Sequence, residues 1–92
     1  MYKMEIKDSS GNQNTKTIEN NEMHKLVYEL TVLQYQDNDL VTVRNSSNEK
    51  IVLDTFNTRL KVFCEMLEKV KTGSIVLSDI KSQSTVIISP IN

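Results

Sequence analysis

The chain has 92 residues, 11 basic and 12 acidic, with one cysteine and one histidine. That is enough for one small domain spanning 1–92 and too little for a catalytic domain beside a separate substrate domain. A hydrophobic content of 38% with 25% charged residues argues against wholesale disorder. The near-balanced charge shows neither the basic stripe of a nucleic-acid binder nor the acidic excess of a nucleic-acid mimic.

No apolar run approaches the roughly 20 residues of a membrane span. The start, MYKMEIKDSS, lacks the apolar core of a secretory signal. One cysteine excludes an internal disulfide and suits a reducing compartment, so a cytoplasmic location is expected. Asn45 of NSS is then no glycosylation site. A domain of this size buries only about 60–65% of its unfolded surface, so association with another chain would add stability.

In chain order, YKMEIK (residues 2–7) alternates Tyr2, Met4 and Ile6 on one side and reads as a short strand. Residues 8–22 are polar, rich in Asn and Ser, and read as a flexible surface loop. HKLVYELTVLQYQ (residues 24–36) fits two patterns. Met23, Leu26, Val27, Leu30 and Leu33 form a helical stripe, whereas Tyr28, Leu30 and Val32 form a strand face. Thr, Val and Tyr favour extended structure, and DND followed by LVTVR supplies a turn and a second run; a β-hairpin is the preferred reading.

Ser46 and Glu49 have capping-box spacing. Val52, Phe56, Leu60, Phe63, Leu67 and Val70 then recur at four- and three-residue steps, with Lys50, Asp54, Asn57, Lys61, Glu65, Glu68 and Lys69 opposite. Gly73 is a C-terminal stop, and Lys69 and Lys71 suit the negative end of the helix dipole. These signals predict one helix over about 48–72. The rival reading makes residues 50–53 a strand and starts the helix at Asp54 or Thr55. SIVLSD and STVIIS then read as two closing strands, ended by Pro90. The expected fold is α+β: an antiparallel sheet of about four to five strands packed against one long amphipathic helix.

The chemical inventory is thin. His24 has no HxxxH or HxH companion, and no CxxC occurs, so no metal site is expected. Cys64, bordering the apolar stripe, reads as a half-buried inert thiol. QDND (residues 36–39) resembles the start of a calcium loop but lacks its glycine and terminal glutamate, leaving a hairpin turn. No phosphate-cradling glycine loop and no GxSxG occurs. Tyr2, Tyr28 and Tyr35 could stack on bases, but no basic cluster surrounds them. Phe56 and Phe63 fall on the helix stripe and read as core. No enzyme activity, cofactor or metal is expected.

The helix carries more apolar surface than one sheet covers: its arc is about twice the roughly 100° stripe needed. Leu53 and Cys64 widen it on one flank; Ile51, Val62 and Met66 widen it on the other, with Arg59 between. Ile51, Arg59, Val62 and Met66 are therefore the candidate partner-binding residues, for a protein partner or a homodimer through the helix flank, with an equally weighted reading as core. Arg44 and Arg59 are candidate contacts for a small anion, because a guanidinium fork matches carboxylate or phosphate. The C-terminal TVIIS is a weaker candidate for edge-to-edge pairing.

The order of short strand, polar loop, hairpin, capped helix and closing strand resembles certain small anti-CRISPR proteins carried by prophages. The likest point is NEKIV (residues 48–52), opening the helix straight after the hairpin. The near-neutral charge departs from the acidic members, so no DNA mimicry and no functional residue carries over. The resemblance implies a small accessory protein, rich in Asn, Lys and Ile, that works by binding. Three functions are expected in descending order: a non-catalytic inhibitor or regulator of a larger macromolecule, a homo-oligomeric binder of a small anionic ligand or nucleotide, and a nucleic-acid-binding module.

Overall fold

The computed structural model describes residues 1–36, 42–44, 47–53 and 55–91, with the side chains of 42 and 43 excepted. Strands β1 (Tyr2–Lys7) and β2 (Gln13–Ile18) form a hairpin. Its turn is closed by the Asp8 carboxylate, which accepts from the Ser10 and Asn12 N–H groups at 3.0 and 2.9 Å. Gly11 adopts φ +89° there, the left-handed region that glycine enters without a Cβ clash. The polar stretch 8–22 is therefore a tight turn, a strand and a helix start instead of one flexible loop. β2 escaped notice because its first five residues are all exposed, so no apolar alternation marks them.

Helix α1 (Asn20–Tyr28) runs on into a π-helical turn at Glu29–Leu33. This replaces the hairpin expected over 24–36, and the helical stripe is the pattern that holds. Met23, Val27 and Leu30 are buried against the sheet, whereas Leu33 is exposed. Thr31, a poor helix former, is accommodated because its hydroxyl donates to the Val27 carbonyl at 2.6 Å inside the fold. Burial overrides the β propensity of the Thr and Val residues.

A short ribbon follows, β3 (Thr42–Arg44) antiparallel to β4 (Lys50–Val52). Residues 50–52 are thus strand, as the rival reading had it, and the helix does not begin near 48. Asn48 sits at φ +63°, outside helical space, so NEKIV opens no helix. Ser46, the expected cap, lies outside the described residues, as do Asp37 to Asp39 of the calcium-like stretch. Helix α2 (Phe56–Val70) is capped by Thr55, whose hydroxyl accepts from the Thr58 N–H at 3.1 Å. It ends where the Gly73 N–H reaches back to the Lys69 carbonyl at 3.1 Å.

β5 (Ile75–Asp79) and β6 (Ser84–Pro90) close the fold. The main sheet has four antiparallel strands in the order β2-β1-β6-β5, so β6 is central and TVIIS offers no edge. Both helices lie on one face. Met4, Ile18, Met23, Val27, Val70, Ile75, Leu77, Val86 and Ile88 fill the layer between sheet and helices. Tyr28 and Phe63 tie α1 to α2 by an edge-on ring contact, centroids 5.3 Å apart and planes at 85°. The fold is α+β as expected, with two modest helices in place of one long one. Phe56, the first residue of α2, is 51% exposed and no core residue.

Candidate binding site

Beside the main core lies a second, smaller apolar cluster: Tyr35, Leu53 and Val62, with Ile51 and Met66 packed on it. It forms because Tyr35 follows the π-helical turn, Leu53 follows β4, and Val62 and Met66 share one stripe of α2. The four residues expected at a partner surface, Ile51, Arg59, Val62 and Met66, are indeed on one side of the molecule. They face inward, however. Val62 and Arg59 are buried, and Ile51 and Met66 half-buried. The excess of apolar arc on α2 is taken up largely by Tyr35, Leu53 and Ile51, elements the one-helix picture did not supply.

The cluster leaves a slot of about 200 Å³ between the ribbon, the end of α1, α2 and the outer strand β5. Leu30, Leu53, Val62, Met66 and Leu77 make its apolar wall, with Arg44 and the Tyr35 ring among the polar lining. Arg44 is exposed; its Nη1 donates to the Asn48 carbonyl at 2.8 Å, which closes the ribbon turn and leaves further donors on the fork. Burial raises the Tyr35 hydroxyl above its ordinary pKa, a shift moderated by a hydrogen bond from Gln34, so Tyr35 stays a neutral phenol at physiological pH.

Arg59 is the anomaly. It is only 8% exposed, and its Nε is buried with no hydrogen-bond partner among the described residues. Its Thr55 to Arg59 backbone bond is an ordinary first-turn bond at 3.1 Å, so the burial is not forced by a broken helix. A buried N–H donor left without an acceptor is costly, and Nε is the one guanidinium atom of Arg59 in that position. Arg59 precedes Val62 and Met66 on the same helical stripe, one turn nearer the N-terminus. The two arginines singled out by sequence thus stand on different elements, Arg44 lining the slot from β3 and Arg59 buried on α2 outside its lining.

The other reactive groups are dispersed. Cys64 is exposed on α2, not half-buried, beside Lys61, Glu65, Glu68 and Lys69. His24 is exposed on α1. Among the described residues no group of three or more His, Cys, Asp or Glu side chains could hold a metal ion. No helix of those residues is long and apolar enough to cross a membrane. Sequence reasoning missed Leu30, Thr31, Val76, Leu77 and Ser78 as slot residues, since they come from separate elements and carry no shared local signal.

No protein-family profile matches the chain, and no curated protein or solved structure shows significant similarity to it.

Proposed function

We propose that this chain is a non-catalytic interaction protein that binds and inhibits or regulates a larger macromolecular partner, presenting the slot to an acidic group of that partner. The observation that carries this reading is Arg44 on the rim of an apolar recess lined by Leu53, Val62, Met66 and the exposed Val76. Val52, next to slot-lining Leu53, and Val76, itself in the lining, are 40% and 59% exposed. Arginine, methionine and tyrosine around exposed aliphatic side chains is the composition of a protein-binding patch. An arginine is a frequent anchor of such interfaces, and Arg44 is the one that lines the slot.

The narrower reading, an anti-defence inhibitor from a phage or mobile element, stands on the resemblance in element order alone. The order found differs from it at the polar loop and at the hairpin. A second reading, capture of a small anion, is favoured by the small size of the slot, about 200 Å³, with Arg44 in its lining. Arg44 would meet the carboxylate there.

Affinity capture from host lysate with wild type, Arg44→Glu and Val76→Glu tests the first reading. One dominant protein retained by wild type and lost by both variants supports it. A captured set unchanged by either variant sinks it. Native mass spectrometry on the purified chain tests the second, which requires a retained small acid lost in Arg44→Glu.

A further inference from the structure

The main sheet has two edges, and the fold treats them differently. Along β5, register alternation directs the N–H and C=O groups of Val76 and Ser78 outward, because residues 75, 77 and 79 bond β6. There the Gln34 side chain takes the place of a neighbouring strand: its amide donates to the Ser78 carbonyl at 2.6 Å and its oxygen accepts from the Ile80 N–H at 3.2 Å. That edge is covered in part.

The β2 edge has no such cover. The Asp8 N–H donates to the Asn12 carbonyl at 3.0 Å, which fixes Asn12, Asn14, Lys16 and Ile18 as the residues bonded to β1. Gln13, Thr15 and Thr17 therefore point their N–H and C=O groups away from the sheet, and no hydrogen bond to them is found among the described residues. The strand runs six residues in unbroken register with no proline or bulge. Beside it, between β2 and α1, lies an open groove of about 320 Å³ with Met4, Ile18 and Leu26 on its floor. Lys16, Lys25, Glu22 and Glu29 line it, two charges of each sign.

We propose that this edge is the interface of a symmetric dimer in which β2 of one copy pairs antiparallel with β2 of a second, making one continuous eight-stranded sheet. A two-fold axis at Thr15 satisfies every outward group at once: Thr15 pairs with Thr15, and Gln13 with Thr17, across the seam. Thr–Thr pairs are favourable neighbours on a strand face. On the helix side Lys16 of each copy enters the other's groove, its stem along the apolar floor and its ammonium between Glu22 and Glu29. The groove's balanced charge and the chain's net −1 set little repulsion against this pairing. The dimer is independent of the slot and leaves it open.

Sedimentation equilibrium from micromolar to millimolar concentration tests it, on wild type, Thr15→Pro and Lys16→Glu. Proline suits position 15 because that N–H makes no bond to β1, so the monomer keeps its ladder. Wild type should approach twice the 10.6 kDa chain mass. Thr15→Pro should remain single with wild-type far-UV circular dichroism, and Lys16→Glu should weaken the dimer by roughly tenfold. Exchange of the Thr15 and Thr17 amides should slow as wild type is concentrated; if Thr15→Pro fails to fold, this measurement and Lys16→Glu decide. A wild-type chain that stays single throughout overturns the pairing and leaves the edge to an extended segment of another protein. A dimer undiminished in a folded Thr15→Pro, or amide exchange indifferent to concentration, overturns it too.

Discussion

Gln34 grips Ser78 across the outer edge of the sheet, its side-chain amide donating to the Ser78 carbonyl at 2.6 Å while its oxygen accepts from the Ile80 N–H. The carbonyl of residue 78 and the N–H of residue 80 are the two groups that a parallel neighbour strand would take, so one side chain blocks that part of the edge. Exposed strand edges invite association, and this contact occupies the β5 edge beside Val76 and Ile80, both exposed.

Removing that grip should therefore act twice. Gln34→Ala should lower the unfolding free energy by about 1–2 kcal/mol, the range for a hydrogen-bonded side chain whose partners are freed. It should also speed exchange of the Ile80 amide and raise the rate of aggregation on heating. Urea unfolding together with amide exchange checks both; an unchanged Ile80 rate would show that the clamp is not closed in solution.

Arg59→Met should leave the monomer as stable as wild type or more stable by about 1–2 kcal/mol, since it exchanges a side chain with a buried, unpartnered Nε for an apolar one of similar length. A loss above about 2 kcal/mol in urea would instead show that the guanidinium is satisfied within the chain. The same variant should lose partner capture if an outside acid completes the site.

Leu53 and Phe56 should respond very differently to truncation. Leu53 is fully buried and Phe56 half-exposed, three residues apart. Leu53→Ala should cost about 2–5 kcal/mol through the cavity it leaves, while Phe56→Ser should stay within about 0.5 kcal/mol. Thermal or urea midpoints of the two variants decide whether α2 begins at residue 56 or extends back to 48, where Phe56 would be core.

Tyr35 gives a pH prediction. Its phenol is raised above the ordinary value of 10.0 by burial, so the unfolded chain releases this proton first. Its contribution is constant below pH 10 and is lost as pH rises from there through the higher folded pKa. Tyr35→Phe should remove that part of the alkaline slope in unfolding free energy. A slope identical to wild type between pH 9 and 11, about one unit either side of the ordinary phenol value, would place the hydroxyl in water.

Sequence reading recovered the elements whose apolar pattern is local and complete. β1, β5 and β6 alternate cleanly because one face of each is buried, and the stripe from Leu60 to Val70 marks α2 because it packs on one side. It missed β2, where an edge strand exposed on both faces needs no apolar residue and is held by backbone bonds alone. It hesitated over residues 24–36, where Thr and Val favour extended structure until burial of Met23 and Val27 decides for helix. The start of α2 turned on Asn48, whose left-handed backbone no capping pattern could show.

Arg44 and Arg59 were visible as candidates, but their separation, one exposed at a slot and one buried on α2, was not. That depends on Tyr35, Leu53 and Val62 meeting from three elements. What the sequence determined by itself was the α+β class, the closing strands and the scarcity of reactive groups, all set by local composition and period. Which apolar surface was left uncovered was decided only in the tertiary structure, because coverage is a relation between segments distant along the chain.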